Sequence, residues 1–258
     1  MPWHLLPLLP LGILAGVLSG FLGIGGGLIF SPLLLAIGLS PHQALATSTL
    51  SIVPTTLAGS WAHLRSGQVP TGALVAITGT AAGAGMLFSH SGALLAGWHL
   101  LALQALMYAV LTLVITPRSA LEAAEAHPSG DSLLAPLARL GGVGLVAGAA
   151  SGLLGVGGGL VMVPLMVRAL KLPVYLAIRL STLAVCASAT SASVGLISDG
   201  RAQPVTALLL GGVAALAAQW SARRLQRIPE VRLVQLLRLL CGLLALDGSR
   251  RAVLLLAG

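Results

Sequence analysis

The residues best suited to chemistry in this chain are neutral donors, and they occur in two matched sets. Triple glycines stand at Gly25, Gly26 and Gly27 in GFLGIGGGLIFSP, and again at Gly157, Gly158 and Gly159 in GLLGVGGGLVMVP. Small hydroxyls accompany each copy: Ser19, Thr47, Ser48 and Thr49 in the first half, Ser151, Ser181 and Thr182 in the second. N–H groups freed where a helix breaks can combine with hydroxyl donors to solvate an oxyanion without a fixed charge. Glycine adds the absence of a side chain, so a ligand can touch backbone. These residues, together with Arg179, form the set predicted to contact a small anionic substrate.

Each has an ordinary alternative. Ser and Thr in membrane helices bond back to the preceding turn or across to a neighbour. Glycines at small-xxx-small spacing let helices pack closely, which is the reading for Gly12, Gly16 and Gly20 and for Gly144, Gly148 and Gly152. Arg179 lies about one and a half turns into an apolar segment. A charge near membrane depth points to function, whereas a side chain reaching back to the surface would be a snorkelling arginine.

Other chemistries lack their residues. No HExxH, no Ser/His/Asp grouping and no carboxylate pair at depth occurs, so neither an enzyme nor a metal or cofactor site is expected. GxGxxG spacing fails at Leu28 and Leu160. Cys186 and Cys241 have no CxxC partner and read as small apolar residues. For proton coupling the available carriers are His63 and Asp247.

The elements that position these residues follow from composition. Apolar residues make up 57% of the 258 and charged residues 8%, with a mean hydropathy of +0.99, which marks an all-α polytopic membrane protein in contact with lipid. The net charge of +8 comes without aromatic-basic interleaving and so does not indicate nucleic acid. The first apolar run has no Lys or Arg before it and continues into the glycine motif, unlike a cleaved signal peptide. Oligomeric state leaves no mark in the sequence.

Eight apolar segments fall at about 5–39, 43–64, 71–88, 97–116, 137–170, 174–197, 204–221 and 231–256. The longest hydrophilic stretch separates the first four from the last four, giving repeat 1 (1–116), a polar linker (117–136) and repeat 2 (137–258). Setting 14–34 against 146–166 gives 12 identities in 21 positions. With one further residue inserted, Ala44, Ser48, Thr49, Leu50 and Gly67 fall on Ala177, Ser181, Thr182, Leu183 and Gly200.

The first segment of each half is too long for one crossing: the 36 residues from Leu5 to Ser40 would make a helix of about 54 Å against a hydrocarbon core of about 30 Å. The triple glycine is where it breaks. Basic residues choose between a full crossing and a re-entrant one. If the first segment of each half is re-entrant, 11 of the 14 Lys and Arg residues share one side and 3 the other, a positive-inside pattern with both termini outside. Three true crossings per half then make the halves inverted repeats.

The glycine motifs, the matched ALATS and AIRLS segments and the 4+4 layout together resemble the sulfite exporter TauE/SafE family of permeases, also called TSUP. SGFLGIGGGLIFSPLLL followed by HQALATSTLSIVPTTLAGSWAHLRSGQV carries the resemblance most specifically, and SGLLGVGGGLVMVPLM repeats it. Arg179 and Leu180 stand where a Gly-Thr pair is more usual in the family. The resemblance implies movement of sulfite, thiosulfate, taurine or another organosulfonate across a bacterial cytoplasmic membrane. An anion channel could use the same broken helices. An intramembrane enzyme would need a nucleophile or metal set at depth.

Overall fold

The computed structural model describes residues 8–65, 69–114, 134–224 and 229–257, and among these every regular element is helical. Ten α-helices follow in order: α1 (Leu8–Leu22), α2 (Gly27–Ala36), α3 (Pro41–Leu64), α4 (Thr71–Ser91), α5 (Gly97–Val114), α6 (Leu134–Leu154), α7 (Gly159–Ala169), α8 (Val174–Ser198), α9 (Pro204–Ala222) and α10 (Glu230–Ala257). The stretch read as a polar linker lies outside the described residues as far as 133, and α6 begins at Leu134.

Five of these helices, α4, α5, α6, α8 and α9, are long and apolar enough to cross a bilayer. α3 and α10 have the length, 24 and 28 residues, but α3 dilutes its apolar content with buried hydroxyls and α10 with charges. Leu94, Leu113, Leu216 and Leu246 are among many large apolar side chains facing outward, a surface suited to lipid and costly in water. The chain is a multi-pass membrane protein.

Short-range chemistry sets the α3 start. The Ser40 hydroxyl accepts from the Gln43 N–H, the Gln43 side chain accepts from the Ser40 N–H, and Pro41 occupies the first turn. Arg65 lies over the Trp61 ring at 4.6 Å and Arg224 over Trp220 at 4.1 Å, stacks that suit a membrane–water boundary at the ends of α3 and α9.

Contacts fix how the helices run. The Gln203 N–H donates to Thr47 Oγ1 at 3.0 Å, joining the start of α9 to the start of α3. Arg201, just after α8, donates to the Ser89 carbonyl near the end of α4, and Gly97 of α5 sits against Pro41. All five termini therefore share one end, here the Arg201 end. At the opposite end Arg168 of α7 donates to the Val114 carbonyl of α5 at 2.5 Å.

In two helix pairs a stripe of three glycines allows the close approach. Gly12, Gly16 and Gly20 of α1 face Leu210, Ala214 and Ser221 of α9, so α1 runs alongside α9, away from the Arg201 end. Gly144, Gly148 and Gly152 of α6 face Ile77, Ala81 and Gly85 of α4, so α6 runs toward the Arg201 end. A Cβ at Gly16 or Gly148 would strike the facing backbone carbonyl, of Ala214 or Ala81. Each half thus supplies the packing surface for the first helix of the other.

Candidate functional site at the two glycine breaks

The long first segment of each half breaks at its glycines. α1 stops at Leu22 and α2 starts at Gly27; α6 stops at Leu154 and α7 starts at Gly159. Gly26 and Gly158, the residues immediately before α2 and α7, have φ of 82° and 66°, a left-handed conformation that an L side chain adopts at a cost of about 1–2 kcal/mol. The Gly23 N–H still reaches the Ser19 carbonyl at 2.8 Å and the Gly155 N–H the Ser151 carbonyl at 3.1 Å. Ser19 and Ser151 thereby close the last turns of α1 and α6.

The two breaks meet. A Cβ at Gly27 would stand 2.5 Å from the Val156 carbonyl oxygen, and one at Gly159 would stand 2.5 Å from that of Gly23. Both loops press on the same two side chains, Ile52 of α3 and Val185 of α8, each fully buried and matched in the two halves. Gly25 and Gly157 lie against this pair from opposite halves.

Serines tie the crossing together. Ser48 Oγ of α3 donates to the Gly155 carbonyl at 2.9 Å, and Ser181 Oγ of α8 donates to the Gly23 carbonyl at 2.8 Å. Each hydroxyl also lies 3.5 Å from the first carbonyl of its own half's short helix, Gly27 for Ser48 and Gly159 for Ser181. In apolar surroundings a loop carbonyl without a donor is costly, so these serines stabilise backbone that no helix serves. Their protons are committed to protein carbonyls in this arrangement.

Thr49 and Thr182 donate back to Leu45 and Ile178 of their own helices at 2.9 and 2.8 Å. Thr47 accepts from Gln203, and Ser151 lies 3.4 Å from the Ser188 hydroxyl. The glycines, Ser48 and Ser181 therefore share the crossing, Ser19 and Ser151 stand one turn before it, and Thr47 faces α9. Arg179 is buried, 7% exposed, and stands near the buried His63 of α3. Its matched position is Ala46 and that of His63 is Leu196. Asp247 is paired within α10, accepting from Arg251 Nε at 2.7 Å.

Residues 8–247 match the profile of the family described as sulfite exporter TauE/SafE. The chain belongs to the TauE/SafE family. It is 35% identical over 179 residues, 67% of each chain, to a probable membrane transporter protein of Xylella fastidiosa. Over 195 residues, 72% of this chain and 76% of the relative, it is 27% identical to the probable membrane transporter protein YdhB of Bacillus subtilis. Sulfite exporter TauE/SafE family protein 2 of Arabidopsis thaliana is 39% identical over 62 residues, 24% of this chain and 14% of that one. No solved structure gives a significant match. This TauE/SafE protein is accordingly a membrane permease.

Sequence reasoning passed over a second polar group in this TauE/SafE protein. Arg201 is one of the three basic residues that the charge count sets opposite the other eleven, yet its side chain is 16% exposed and tied to Asp199 and the Ser89 carbonyl. The signal was available: Asp199 and Arg201 put opposite charges two residues apart in the loop SDGRAQ. Gln104 of α5, which bonds Tyr108 at 2.8 Å and Ser31 of α2 at 3.3 Å, was likewise missed as one amide in an apolar run.

Proposed function

We propose that this permease is a secondary transporter that moves small sulfur-containing anions, such as sulfite, thiosulfate, taurine or another organosulfonate, across the bacterial cytoplasmic membrane by alternating access. In this reading α1–α2 and α6–α7 are re-entrant hairpins, the halves are inverted repeats, both termini lie outside, and the Arg201 end is the outer face. Support comes from α1, which leaves the Arg201 end alongside α9, while the chain is back at that end by Ser40. The second hairpin does the reverse.

The observation that carries the proposal is the crossing of two glycine breaks, each held by a serine of the opposite half. A broken helix at depth is tolerated where it is buried in protein or lines a water-filled cavity, and paired breaks between inverted halves suit one site with two gates. An anion that takes the Ser48 hydroxyl displaces the Gly155 carbonyl, and one that takes Ser181 displaces Gly23. Each displacement loosens one loop only. Gly25 to Gly27, Gly157 to Gly159, Ser48 and Ser181 would contact the anion directly, with Ser19, Thr47, Thr49, Ser151, Thr182 and Arg179 along its path. The chemistry is binding and release, with no enzymatic step.

Proteoliposome flux of labelled sulfite, thiosulfate, taurine and sulfoacetate, with and without a pH gradient, tests this. Saturable uptake against a concentration gradient is expected for one of them. Dissipative flux alone would indicate a channel, and no flux of any of the four would remove the substrate class.

A further inference from the structure

The two ends of the crossing are filled differently, and the difference exposes a second site. Toward the Arg168 end stand Arg179 and His63; their matched positions toward the Arg201 end are Ala46 and Leu196, which carry no charge. A narrow recess lies there, about 10 Å³ or room for one water molecule, where His42, Thr49, Gly155 and Arg201 stand among leucines. Its floor is shut, with Ala46 1% and Thr49 0% exposed, and it ends on Gly155, whose carbonyl the Ser48 hydroxyl holds.

We propose that this recess is an outer binding site for a small oxyanion, in which Arg201 is the anion-reading residue and Asp199 is its competitor. The inference rests on the reading of the chain as an anion carrier. Arg201 Nη2 donates to the Ser89 carbonyl at 2.9 Å and is paired with the Asp199 carboxylate. Its Nε is buried and has no hydrogen-bond partner among the described residues. A buried guanidinium N–H without an acceptor is a donor awaiting one, and a tetrahedral oxyanion offers several. The recess carries a second hydrogen-bonding group, the half-buried His42 ring, while Asp199 also lies 3.4 Å from His90 and so has a partner to keep when Arg201 turns to the anion. Anion held here stands directly outside the Ser48–Gly155 clasp.

Competition makes the test decisive, because the two halves of the ion pair must act in opposite directions. The full-length protein is purified in detergent, and its unfolding midpoint is followed as sodium sulfate replaces sodium gluconate at constant ionic strength. Saturable stabilisation is expected for the unmodified protein. Asp199→Asn should lower the sulfate concentration for half-effect several-fold, Arg201→Gln should raise it about tenfold or more, and Arg201→Lys should lie between. If Arg201→Gln does not fold, Ala46→Arg, which copies the residue already accommodated at position 179, should fill the recess and abolish the response.

If Arg201 is only a strut between Ser89 and Asp199, both substitutions shift the half-effect in the same direction or leave it unmoved, and the proposal is overturned. Absence of a saturable sulfate response in the unmodified protein overturns it equally. Flux without the opposite shifts leaves the carrier and removes this site; opposite shifts without flux leave the site and remove the carrier.

Discussion

Ser48 holds the carbonyl of Gly155 at 2.9 Å across 107 residues of chain, and Ser181 holds that of Gly23 at 2.8 Å across 158. Both bonds join one half of the protein to the break of the other. Neither serine sits in its own half's loop, so the crossing cannot form until both halves are in place.

Removing either hydroxyl should be felt as lost stability. Ser48→Ala and Ser181→Ala each leave a buried glycine carbonyl without its main donor, at a cost of about 1–3 kcal/mol. The expected outcome is a lowered unfolding midpoint for both variants in detergent. An unchanged midpoint in both would mean that the clasps hold nothing.

Alanine at the two residues preceding the short helices should not act equally. Gly26→Ala and Gly158→Ala both force a side chain into left-handed backbone, at about 1–2 kcal/mol. The added methyl at 26 meets the Phe30 ring at 2.9 Å, whereas at 158 it meets the backbone carbonyl of Ala147. A ring can turn aside more readily than a packed helix can move. Gly158→Ala should therefore destabilise more than Gly26→Ala in thermal unfolding, and the reverse order would contradict these surroundings.

Acid should loosen the Arg201 end. The hydrogen bond from Arg201 holds the Asp199 carboxyl below the usual carboxylate range, with the charges of Arg201 and His90 acting in the same direction. Because the folded value is the lower one, the pair's stabilisation is complete above the unfolded carboxylate pKa and is lost as pH falls through the folded one. The difference in unfolding midpoint between the unmodified protein and Asp199→Asn should thus shrink from about pH 7 to about pH 3. A difference that grows on acidification would refute the sign.

Much of this was legible in the sequence, and the limits are physical. The helical, membrane-spanning class follows from composition, and the break points follow from glycines too many for a helix to absorb. Matched spacing singled out Ser48 and Ser181 as a pair. What spacing could not give was their partner: a hydroxyl offers its proton to whichever acceptor comes nearest, and that depended on how the halves interlock. Arg201 escaped notice for a related reason. A loop arginine is ordinarily solvated, and this one is enclosed by residues of α3, α5 and α6 that are distant in sequence.

The packing of α1 against α9 also orders events during synthesis. The small-residue stripe Gly12–Gly16–Gly20 is made before the surface it fits, Leu210 to Ser221, which follows almost two hundred residues along the chain. Until then the stripe lacks its matching face, and α1 has only α2 and α3 beside it from its own half. The α1–α9 contact therefore closes only once α9 has been made. A chain halted before α9 would leave the Gly12–Gly16–Gly20 stripe facing lipid, where close packing of small residues has nothing to meet.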